Sequence, residues 1–159
     1  MDVVPERAEV TYLNHDFIVD AYLKVRRNVR RGPYVINLYG EIKHTWANNI
    51  SLDVILYEFL HNEYKRTFVE FHFRFCDLIN NDPYIGKAMA NVGIICPAPP
   101  GKYNLTDIRI PADNFPYVWP FERAKGFCEF THSPTGKVIA NASLYLQFKQ
   151  KPLGKTTKK

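Results

Sequence analysis

Apolar and polar residues alternate with a period of two along most of the chain. Phe17, Val19, Ala21, Leu23 and Val25 form one apolar row, with Ile18, Asp20, Tyr22 and Lys24 between them. That pattern predicts a half-buried strand. Arg30-Arg31-Gly32-Pro33 reads as a turn. Tyr34, Ile36, Leu38 and Ile42 follow opposite Asn37, Glu41 and Lys43, and Leu52, Val54 and Leu56 share a face of a third strand over 50–60. Val69, Phe71, Phe73 and Phe75 against Glu70, His72 and Arg74 give the clearest alternation, ending at Cys76. The last two strands read as a hairpin: 121–131, a turn at Ser133-Pro134-Thr135-Gly136, then Val138, Ala140, Ala142, Leu144, Leu146 and Phe148 on one face. Asn141 is thereby expected to point away from the buried side.

Between Cys76 and Cys96 the period changes. Asn80, Asn81 and Asp82 offer an N-cap, Pro83 suits a first helical position, and Tyr84, Ile85, Ala88, Met89 and Val92 recur at helical spacing before Gly93. A proline-rich corner follows from Cys96, then a strand with Tyr103 and Leu105 inward and Asn104 outward. The expected fold is mainly β: an immunoglobulin-like antiparallel β-sandwich of about seven or eight strands with one short helix between Cys76 and Cys96. One domain is expected over 1–150, with 151–159 a flexible basic tail.

Composition adds an aromatic excess, 14% Phe, Tyr and Trp, which suits strands and large apolar walls. The net charge of +5 is carried largely by the tail and by Arg26, Arg27, Arg30 and Arg31, so a solvated edge accounts for most of it. No run of eighteen apolar residues is present, so no transmembrane segment is expected. Met1-Asp2-Val3-Val4-Pro5-Glu6 lacks the basic start and apolar stretch of a signal peptide. Three N-x-S/T sequons, at Asn49, Asn104 and Asn141, exceed the chance expectation of about one and point to secretion, with the signal peptide already removed.

Catalytic chemistry finds no foothold. The histidines at 15, 44, 61, 72 and 132 are scattered, and no nucleophile elbow or glycine-rich phosphate loop occurs. Three cysteines without a close pair, and no His at ligand spacing from another, argue against a metal. The aromatics alternate inward while the arginines cluster at a turn, a poor arrangement for nucleic acid. No enzyme activity, cofactor or nucleic-acid partner is expected.

The order of Phe75-Cys76-Asp77, the helical stretch, Ile95-Cys96-Pro97, Pro100-Gly101-Lys102-Tyr103, Trp119-Pro120-Phe121 and the terminal strand 142–148 resembles insect secreted proteins related to ML-type lipid-recognition domains. That group includes ganglioside-activator-like and chemosensory B proteins. The resemblance runs from about Phe17 to Lys149 and implies two sheets splayed around an apolar cavity, with no catalytic residues. An N-terminal cysteine common in that family is absent and Cys128 is extra, so its disulfide pattern does not transfer as it stands.

A bridge between Cys76 and Cys96 would tie the helical stretch to the Phe-rich strand; three reduced, buried cysteines are the alternative. The aromatic set Phe68, Phe71, Phe73, Phe75, Tyr103, Phe115, Trp119, Phe121 and Phe148 could wall a cavity or fill a plain core. Small Ala140 and Ala142 on the last strand favour a cavity. The expected ligand-binding residues are Phe71, Phe73, Phe75, Tyr103, Trp119, Phe121, Ala142, Leu144 and Leu146. The expected function is an extracellular carrier or presenter of a lipid or other hydrophobic small molecule, chemosensory in the insect setting, with a membrane receptor as a further partner and Arg26, Arg27, Arg30, Arg31 and Lys102 available to an anionic headgroup. The competing expectation is a secreted co-receptor or interaction module with a solid core.

Overall fold

A computed structural model describes residues 2–27, 29–110 and 120–149. Eight strands among the described residues make two antiparallel sheets. They are β1 (Asp2–Leu13), β2 (Ile18–Arg27), β3 (Tyr34–Ile42), β4 (Ile50–Leu60), β5 (Glu63–Arg74), β6 (Gly101–Ile108), β7 (Arg123–His132) and β8 (Lys137–Lys149). A five-stranded sheet runs β1-β8-β7-β4-β5 and a three-stranded sheet runs β2-β3-β6. The helices α1 (Phe75–Asn81) and α2 (Ile85–Asn91) connect the last strand of the larger sheet to β6 in the smaller. The mainly β sandwich read from the sequence is the observed architecture.

The hairpin β7–β8 pairs as its alternation predicts, Cys128 opposite Ala142 and Gly126 opposite Leu144. Asn141 lies opposite Glu129 on the other face from Ala142. Three faces differ from the sequence pattern, the first on β8, where a register shift between Phe130 and Thr131 leaves Val138 half-buried and puts Ile139, expected on the polar side, fully in the core. On β2 a register shift between Ile18 and Asp20 turns Ile18 inward and leaves Val19 44% exposed, so the buried row is Ile18, Ala21, Leu23 and Val25 rather than one that includes Val19. A bulge adds a residue, and every side chain before it changes face. On β3, Tyr34 is exposed at the strand's first residue, where the Arg27 guanidinium lies 4.2 Å from its ring centre.

The segment between the cysteines forms two short helices, not one. Pro83 is the cause: it disfavours the helical region for the residue before it, and Asp82 is extended at φ −78°, ψ 127°. Asp82 ends α1 and opens α2, its carboxylate accepting from the backbone N–H groups of Tyr84 (3.1 Å) and Gly86 (2.9 Å). Gly86 is required at the crossing, since a Cβ there would lie 1.7 Å from the Leu78 carbonyl oxygen. Helices of seven residues are not stable alone; these are held by burying Phe75, Leu78, Ile79 and Ala88. Phe75 thus belongs to α1 and not to the strand that precedes it.

Two apolar clusters fill the interior. One contains Ile18, Ile36, Ile50, Phe75, Ile79, Leu105 and Ile139 from both sheets and the helices. The other contains Leu52, Val54, Leu56, Leu78, Phe121 and Phe148 on the inner face of the larger sheet.

Candidate functional site: an apolar cavity between the sheets

A cavity of about 240 Å³ separates the two sheets. Its smaller-sheet wall is Ala21, Leu23, Leu38, Gly40, Ile42 and Tyr103; its larger-sheet wall is Leu52, Cys128, Phe130, Ala140, Ala142 and Leu144. The helical segment supplies a third wall through Phe75, Leu78, Ile79, Ile85, Met89 and Ile94. Val10 and Leu13 of β1 and Trp46 complete much of the rest.

The cavity exists because small residues meet where large ones are needed to fill space. Gly40 and Ala21 are direct partners across β3 and β2, so two adjacent positions of one wall carry almost no side chain. Ala140 and Ala142 do the same on β8. A Cβ built on Gly40 would meet nothing within 4 Å. Interiors otherwise pack at crystal density, so an unfilled volume bounded by four small residues is a property of the sequence. The expected alternative of a solid core does not describe this region.

Among the described residues the walls carry no charge. Tyr103 presents its ring, its hydroxyl donating to the Pro99 carbonyl (2.5 Å), and burial raises its pKa above the ordinary value. Burial likewise pushes the Cys128 thiol up to about 12, so it stays protonated and acts as an apolar wall atom. Near the cavity, the bond joining Cys76 and Cys96 closes the helical segment onto the end of β5. Cys128 is the free cysteine, as the sequence reading had it.

Of the residues expected to bind ligand, the structure brings Phe75, Tyr103, Ala142 and Leu144 to the cavity. Phe73, Phe121 and Leu146 pack in the second apolar cluster, with Phe148. Phe71 is 39% exposed and Phe68 94% exposed, both on β5 at the sheet edge. Trp119 and Phe115 lie outside the described residues, as does the basic tail. Arg26, Arg27, Arg30, Arg31 and Lys102 are all exposed, and none lines the cavity. Gly40, Trp46, Met89 and Phe130 line it and were not singled out from the sequence. Gly40 left a signal there: it interrupts the row Leu38, Ile42 at the position between them, and an isolated glycine inside a strand marks missing side-chain packing. Among the sequon asparagines, Asn104 is exposed, while Asn49 and Asn141 are half-buried.

On the outer face of the larger sheet His72 lies between two carboxylates, Nδ1 to Asp53 at 2.6 Å and Nε2 to Glu70 at 2.9 Å, with Arg66 on the far side of Glu70 at 2.9 Å. The hydrogen bond to Asp53, then that to Glu70, raises the His72 pKa above 6.5. A raised pKa means the charged form is favoured by folding, so this contribution is complete below 6.5 and is lost as pH rises through the folded value. NMR titration of His72 is expected to show a midpoint above 6.5 that falls back toward it in Asp53→Asn. An unchanged midpoint in that variant would show that Asp53 is not the cause.

No family model matches the sequence. No curated protein matches it. Among solved structures the chain is similar to a Niemann-Pick type C2 protein from the Japanese carpenter ant, at 9% identity and a TM-score of 0.35, over 91% of this chain and 95% of that one. A likeness at that score leaves the function to be argued from this chain's own cavity.

Proposed function

We propose that the protein is a secreted, non-catalytic carrier of a hydrophobic small molecule held between its two sheets. The observation that carries this reading is the uncharged cavity of about 240 Å³ bounded by Gly40, Ala21, Ala140 and Ala142. An apolar space of this kind suits an acyl or isoprenoid-like chain, and each methylene buried in it supplies about 0.8 kcal/mol of gross transfer free energy. Association entropy offsets much of that, so a chain alone binds weakly and a longer one, its polar end outside, binds better.

Secretion is supported by the Cys76–Cys96 disulfide, a bond that persists in oxidising compartments, together with the exposed sequon at Asn104. Expression in a glycosylating host tests the sequons directly.

An environment-sensitive fatty probe of medium chain length is expected to bind saturably in the micromolar range, with displacement by single-chain fatty acids or alcohols of similar length. A probe that fails to bind, or that is displaced equally well by water-soluble anions without a tail, would overturn the carrier reading.

A further inference from the structure

Strand β5 ends the larger sheet, and among the described residues it pairs with β4 alone. Edge strands present unpaired backbone groups, and proteins ordinarily guard them with bulges, prolines or charges. The first half of β5 is guarded. Ile55 pairs with Glu70 and Tyr57 with Arg66, so residues 67–69 all face Leu56 in a bulge. Thr67 fixes it, its hydroxyl donating to the Leu56 carbonyl (2.8 Å) and accepting from the Val69 N–H (3.0 Å).

The second half has neither bulge nor proline and is guarded only by the charges of Glu70, His72 and Arg74. From Glu70 to Arg74 the strand runs in unbroken register with β4, without proline or lysine, and alternates aromatic and charged residues. Phe71 is 39% exposed there, stacked on Phe73 at 6.4 Å between ring centres, and Phe68 at the bulge is 94% exposed. An exposed phenylalanine on a straight, unpaired edge, with a second at the bulge beside it, is a costly surface for a lone molecule.

The sequence of this edge is complementary to itself. An antiparallel pair of identical strands has a two-fold axis normal to the sheet, so each face must meet its own kind. Centred on Phe71, such a pair sets Phe71 against Phe71 and Glu70 against His72 on the straight stretch, while Phe73 and Arg74 fall beside the bulge of the other copy. Opposite charges face each other and no like charges do. Centring on Glu70 sets two carboxylates together, centring on His72 sets two imidazoles together, and centring on Phe73 sets His72 against Arg74. We infer that two copies of the chain associate through their β5 edges, in antiparallel register about Phe71, to join their larger sheets into one of ten strands.

Sedimentation analysis of the intact protein over a dilution series, with Phe71→Glu and Phe71→Cys beside it, tests this. The parent is expected to shift from monomer to dimer with concentration, and Phe71→Glu to weaken that association by about tenfold or more while circular dichroism stays unchanged. Directly opposed residues of an antiparallel pair bring their Cβ atoms to about 5 Å. Phe71→Cys is therefore expected to cross-link with itself under mild oxidation, whereas Glu70→Cys, offset by two residues from its own copy, is not. A parent that stays monomeric throughout would assign the edge to a strand of another protein or to none, and would overturn the inference. So would equal cross-linking at positions 70 and 71, or a dimer that survives Phe71→Glu.

Discussion

Replacing Cys76 and Cys96 together by alanine is expected to lower stability by about 3 kcal/mol and to remove most ligand binding. The first figure follows from the loop: the bond closes a sequence separation of 20, and in the chain-entropy account such a loop contributes about 3 kcal/mol by restricting the unfolded state. The second follows from what the loop contains. Leu78, Ile79, Ile85, Met89 and Ile94 lie between the two cysteines and form one wall of the cavity. All but Ile94, which follows α2, sit on two seven-residue helices that have little order of their own. Apolar contacts hold the wall in place, but the bond fixes where it begins and ends. Chemical denaturation with and without reductant gives the stability term, and probe titration of the folded double variant gives the binding term. A variant that loses stability yet binds as tightly as the parent would show that the wall keeps its place without the bond.

The β7–β8 hairpin and the inward row of β8 from Ala140 to Leu144 were legible because each is a local consequence of period-two alternation, whereas the register shift between Phe130 and Thr131 buries Ile139 in place of Val138. Strand β1 was not. Two register shifts, between Pro5 and Arg7 and between Val10 and Tyr12, break its period. The misplaced Val19 has the same origin in the Ile18–Asp20 bulge. Of the row read on β5 only Phe71 and Phe73 share a strand face, since Val69 lies in the bulge and Phe75 opens α1, and their position was not legible: whether a face looks into a cavity or past the end of the opposing sheet depends on how many strands that sheet has. The smaller sheet has three against five. That difference is a property of long-range pairing, which no local pattern reports. It leaves Phe71 at the rim and gives the cavity to smaller residues. Ala142, Leu144 and Tyr103 were within reach because they sit on well-formed alternating strands, while Trp46 and Met89 arrive from a loop and a helix whose placement only the tertiary structure determines.

Substituting Gly40 by leucine is expected to separate stability from binding more cleanly than any other single change. Glycine in a strand interior is destabilising by roughly 0.5–1 kcal/mol relative to alanine through its backbone entropy. Its backbone here is outside the left-handed region, and a Cβ meets nothing within 4 Å, so a side chain enters without strain. Leucine adds four carbon groups at a position that lines the cavity. Filling apolar space while removing the glycine penalty predicts a gain of about 1–2 kcal/mol, read as a rise in Tm of roughly 2–8 °C for a chain of this size. Probe affinity is expected to fall about tenfold or more, because the ligand and the new side chain require the same volume. Ala142→Phe approaches from the opposite wall and is expected to weaken binding in the same way, with stability nearly unchanged. In a closed core both substitutions overpack, at a cost of about 1–3 kcal/mol each. Thermal melts and probe titrations on the two variants therefore decide the matter together: a loss of stability in both, with no binding in the parent, would return the interior to a solid core and leave a protein-interaction module as the better account.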